Sequence, residues 1–74
     1  MFQIIKQTDN NLATNWVHDT VDYPKADAVF LARIYAHDHF SRIMGDTDTY
    51  RILPSGAQFV TNNGTPVRYF AKEV

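Results

Sequence analysis

The chain has 74 residues, 45% of them hydrophobic, 14% aromatic and 20% charged, with a net charge of −1 and no cysteine. This length accommodates one domain. The composition excludes a disordered chain, a strong global field toward nucleic acid or anionic membranes, and any disulfide or thiolate metal cage.

A core of this size contributes roughly 3–5 kcal/mol, so a partner subunit is an open route to added stability. Charge is unevenly placed. Residues 1–48 hold seven Asp against Lys6, Lys25, Arg33 and Arg42, a net of −3. Residues 49–74 hold Arg51, Arg68 and Lys72 against Glu73, a net of +2. The segment Met1-Phe2-Gln3-Ile4-Ile5-Lys6 lacks the basic region and long apolar core of a signal peptide. No apolar run reaches the roughly 20 residues of a membrane span. These features point to a single-domain protein of the cytoplasm, of bacterial or phage origin.

The first predicted element is a β-hairpin. Residues 2–8 and 12–19 read as strands, joined by an Asp9-Asn10-Asn11 turn whose side chains cap their own backbone. Alternation places Leu12, Thr14, Trp16 and His18 on one face and Ala13, Asn15, Val17 and Asp19 on the other.

Residues 24–40 read as a helix, with Asp22 as its N-cap and Pro24 in its first turn. At 100° per residue, Ala28, Leu31, Ala32, Tyr35 and Ala36 gather on one face, which suits close packing on a sheet. Arg33 and His37 lie nearly opposite. Either the helix runs on through Arg42, Ile43 and Met44 to a left-handed cap at Gly45, or Arg42–Met44 begins a strand.

Three strands are predicted in the tail. Thr47–Leu53 ends at the turn Pro54-Ser55-Gly56. Ala57–Thr61 ends at Asn62-Asn63-Gly64, a hairpin signal, and the sequon Asn63-Gly64-Thr65 reads as part of that turn. Thr65–Lys72 follows, with Pro66 at a strand start or on an edge. The predicted fold is α+β: an antiparallel sheet of four to five strands with one helix on one face, in the order ββαβββ.

Few residues carry chemistry. His37 and His39 are two apart, about 200° around a helix, so they cannot converge on a metal. His18 could join only as an unsupported third ligand. Asp46-Thr47-Asp48-Thr49 begins like a calcium loop, but the pattern then needs Asp or Asn, Gly and Glu where Tyr50, Arg51 and Ala57 stand. Asp19 and Asp22 could serve as a carboxylate pair, although N-capping already accounts for Asp22. No nucleophile elbow or phosphate-cradling loop is present. The reading is a non-enzyme with no cofactor and no metal.

Two surfaces remain. Phe30 and Ile34 lie about 40° apart on the helix, off the alanine face, with Asp27 and Asp38 beside them. An exposed patch there suits protein–protein contact, as a homodimer or as an accessory or inhibitory protein on a larger partner. The alternative is a weak nucleic-acid binder. Alternation puts Arg68, Phe70 and Lys72 on one sheet face, with Arg51 from a nearby strand, and aromatics among cations can stack bases and meet phosphates.

Overall fold

A computed structural model describes residues 1–8 and 16–74. The predicted turn at 9–11 and the first half of the second predicted strand lie outside the described residues. The elements are β1 (Phe2–Thr8), β2 (Trp16–Tyr23), α1 (Lys25–Ile43), a single 3₁₀ turn (Thr47–Thr49), β3 (Arg51–Leu53), β4 (Gly56–Val60) and β5 (Pro66–Glu73). The five strands form one antiparallel sheet in the order β2-β1-β5-β4-β3. The helix lies on one face, as the ββαβββ pattern predicts. It carries the chain from the β2 edge to the β3 edge and packs chiefly over β5 and β4. No described helix is long and apolar enough to cross a membrane.

The alanine stripe explains that packing. Ala28, Ala32 and Ala36 are all fully buried, one turn apart on a single side of α1. With no side chain beyond Cβ, they let the helix approach Ile4, Ala57, Phe59, Val67 and Tyr69, which complete the buried cluster. Leu31, Tyr35, Phe40 and Ile43 pack around its margin. Larger residues at the three alanine positions would hold the layers apart.

The structure corrects several boundaries. β2 continues to Tyr23, so Asp22 is a strand residue and not a helix cap. The residue preceding α1 is Pro24, which makes no side-chain cap bond, while its carbonyl accepts from Ala28 N–H at 3.0 Å. The helix runs on to Ile43, which excludes a strand at Arg42–Met44. Its left-handed terminal residue is Met44 (φ 50°), not Gly45. Thr47–Thr49 is a 3₁₀ turn because the Asp46 carboxylate accepts from Asp48 N–H at 2.9 Å and starts a helical turn instead of a strand. That bond gives the acidic run Asp46–Thr49 a structural role.

Arg33 is not a solvent residue. Its Nη2 donates to Leu53 O at 2.7 Å and its Nε to Gly56 O at 3.2 Å, tying α1 to the β3–β4 turn. The Asn62-Asn63-Gly64 hairpin forms as predicted, with Gly64 at φ 88° and Thr61 N–H bonded to Thr65 O at 2.9 Å. Pro66 begins β5, where the ladder does not need its missing N–H.

Candidate functional site

The outward side of α1 is the first candidate. With the alanines turned to the sheet, Phe30 and Ile34, one turn apart, point to water and are 64% and 43% exposed. They line a shallow groove with Arg33, His37, Ser41 and Tyr50. Ile52 is also exposed on the helix side of the sheet, since it pairs with the buried Ala57. Of the two flanking acids, Asp27 is exposed in the first helical turn. Asp38 accepts a hydrogen bond from Arg42 one turn on. An exposed pair of this kind contributes little stability, but it takes up the Asp38 charge.

The open face of the sheet is the second. Register places Arg51, Gln58, Arg68 and Gln7 in one row across β3, β4, β5 and β1. Leu53, Gly56, Phe70 and Ile5 form the next row. Lys72 lies one pleat beyond Phe70 and pairs with Gln3. Arg51, Arg68, Phe70 and Lys72 therefore share a face, as alternation predicts. On these four strands the charged residues of that face are all cations. Arg68 Nε donates to Gln58 Oε1 at 3.2 Å. Arg51 Nη1 donates to the carbonyls of Asp48 (2.7 Å) and Tyr50 (3.0 Å). Sequence reasoning passed over Gln7 and Gln58, because neutral amides on alternating strands form no motif.

A polar–aromatic cluster lies where β2 meets α1. Ile5 pairs with Val17 but Ile4 with Asp19, so His18 is an extra residue in β2. This bulge brings His18 and Asp19 to the same side, against simple alternation. The Asp19 carboxylate accepts from the Tyr23 hydroxyl at 2.7 Å and the Tyr35 hydroxyl at 3.1 Å. The Tyr23 hydrogen bond, with that from Val21 N–H, holds the Asp19 carboxyl below its usual range, and Asp19 in turn pushes the Tyr23 hydroxyl up to about 12. His39 Nδ1 bonds the Tyr69 hydroxyl at 2.9 Å, and the His18 ring packs edge-on against Tyr35 and Tyr69. His37 faces Tyr50 instead. Among the described residues no three metal-ligating side chains converge.

Partial desolvation holds the half-buried His39 imidazole, and the more exposed His18 imidazole against Tyr35 and Tyr69, below the ordinary histidine value of 6.5, and the Lys6 ammonium adds to the effect. The folded state therefore favours the neutral rings, while the unfolded chain takes up protons at and below pH 6.5. Stability from this source is complete above pH 6.5 and is lost as pH falls through the lower, folded values. Asp19 adds a further loss below its ordinary 3.8. Thermal melts should hold level above pH 6.5 and drop below it, with a shallower drop in a His18→Gln, His39→Gln double variant. A level profile from pH 6.5 down to 5 would show that neither ring is shielded.

The fold and these surfaces define a small α+β protein with two chemically distinct outer faces. Comparison with known proteins finds no matching family model, no matching curated protein and no matching solved structure.

Proposed function

We propose that the chain is a non-catalytic binding module of the cytoplasm that works through protein–protein contact on the outward side of α1, with a second copy of itself as the partner. The observation that carries this reading is the exposure of Phe30 and Ile34 on adjacent turns of a long helix, in a groove closed on one side by Tyr50. Apolar area held in water is released on contact at about 25 cal/mol per Å², and patches of this kind mark interaction sites. A patch centred on one helix is suited to a two-fold contact, in which each copy presents the same surface. Asp27 at its rim favours a cation opposite, which speeds encounter and fixes register more than it adds affinity. An accessory or inhibitory role on a larger, basic partner would use the same surface.

Sedimentation equilibrium tests this. The native chain should show a monomer–dimer equilibrium. Phe30→Ser and Ile34→Ser should each weaken it by about tenfold or more, the equivalent of one buried apolar side chain, with an unchanged far-ultraviolet spectrum. A native chain that stays monomeric at every concentration would sink the proposal, as would a variant that loses its fold, because the residue would then belong to the core.

A further inference from the structure

The open face of the sheet, on the opposite side from α1, carries a feature that its basic residues alone do not explain. Gln7 is only 6% exposed, and its side-chain amide has no hydrogen-bond partner among the described residues. Burying an amide without a partner costs about 1–3 kcal/mol, so such a group calls for an explanation. It lines a groove of about 220 Å³ together with Gln58, Arg68, Val60 and Pro66. That is below the roughly 300 Å³ at which drug-sized pockets begin, and it suits one flat, polar ring.

The groove's hydrogen-bonding capacity is specific. The Gln7 amide offers an acceptor and donors side by side. The Gln58 oxygen is held by Arg68 Nε, which leaves the Gln58 amino group to donate, and the terminal nitrogens of Arg68 remain available. A glutamine amide matches the adjacent donor and acceptor on the exposed edge of an unpaired base bidentately. Around the groove stand the face's cations: Arg68 at its wall, Arg51 at the end of the same row and Lys72 two pleats from Arg68 along β5. No Asp or Glu shares this face on β1, β3, β4 or β5. Phe70 stands on the pleat between Arg68 and Lys72, where its ring can stack a neighbouring base. We infer that the open face binds single-stranded nucleic acid, with one unpaired base seated on Gln7 and Gln58 and the phosphates against Arg68, Lys72 and Arg51.

This site is independent of α1 and stands or falls separately from the self-association proposed above. Fluorescence anisotropy with labelled, single-stranded oligo-dA and oligo-dT is the test. Both should bind at low salt, and both should weaken steeply as salt rises. Arg68→Ala and Lys72→Ala should weaken both alike, each lowering the slope of log affinity against log salt by about 1. Gln7→Leu should cost about tenfold on both, the low end for a bidentate base contact, and leave the salt slope unchanged. Amide NMR shifts in the unmutated chain, clustered at Gln7, Gln58, Arg68 and Phe70, give the same answer without any variant. Absence of binding at low salt, binding indifferent to salt, a Gln7→Leu variant that binds as the native chain does, or shifts confined to α1 would each overturn the inference.

Discussion

Phe59→Ala is expected to leave most of the chain unfolded at room temperature. Phe59 is 1% exposed and stands where α1, the chain after it and the sheet converge. Its ring meets His39 at 5.2 Å and Phe40 at 5.5 Å edge-on, and lies nearly parallel to Tyr50 at 6.4 Å. Truncating a buried phenylalanine removes about 3–5 kcal/mol through lost transfer energy and the cavity left behind. That equals the roughly 3–5 kcal/mol a core of this size supplies. Among the described residues the other large, fully buried side chain is Ile4, which cannot reach across the sheet to fill the space. Circular dichroism in a urea series should show no native baseline for the variant. A cooperative transition close to that of the native chain would mean that the core lies elsewhere.

Gly56→Ala should be nearly as damaging, although it adds one methyl group. A Cβ at this position would lie 1.9 Å from the carbonyl oxygen of Tyr69 and 2.9 Å from Phe70 Cα. Both are backbone atoms of β5, so no side chain can swing aside. The start of β4 would have to move off β5. That movement puts at risk the Ala71 N–H to Ser55 O bond (2.8 Å) and the Arg33 contact to the Gly56 carbonyl. Overpacking of this kind costs about 1–3 kcal/mol and at times more, and the backbone clash argues for the top of that range. Gly64→Ala is the comparison to make beside it. Gly64 has a positive φ of 88° but open space around a Cβ, so only the backbone penalty of about 1–2 kcal/mol applies. Equal stability of the two variants would show that β4 and β5 have slack at Gly56.

Much of this architecture is legible in the residues. Alanines one turn apart marked the buried face of α1, and the same geometry left Phe30 and Ile34 outside. The alternation Val67-Arg68-Tyr69-Phe70 separated the buried Tyr69 from the open-face Arg68 and Phe70. Asn62-Asn63-Gly64 marked its hairpin. What could not be read depends on contacts distant in sequence or on small local competitions. The pairing of β1 with β5 joins strands far apart in sequence, and no local pattern encodes it. The His18 bulge is set by the partner strand, so period-two counting put His18 and Asp19 on opposite faces. Asp46 could cap a helical turn or lie in a strand approach, and a single side-chain bond decided it. Arg33 looked solvated until the β3–β4 turn brought two carbonyls beneath it. Gln7 entered the candidate site for the same reason: its neighbours Gln58 and Arg68 come from strands more than 50 residues away in the chain.

The pairing of β1 with β5 also has a consequence for biosynthesis. Phe2 stands opposite Glu73, and Val74 N–H reaches Met1 O at 3.1 Å. Translation delivers β1 well before its central partner β5. Until β5 emerges, β1 has at most β2 beside it, and a two-stranded hairpin is marginal in water. The β1 edge that pairs with β5 in the finished sheet is therefore open until β5 is made. A nascent chain of this topology carries an adhesive strand edge until β5 has been made.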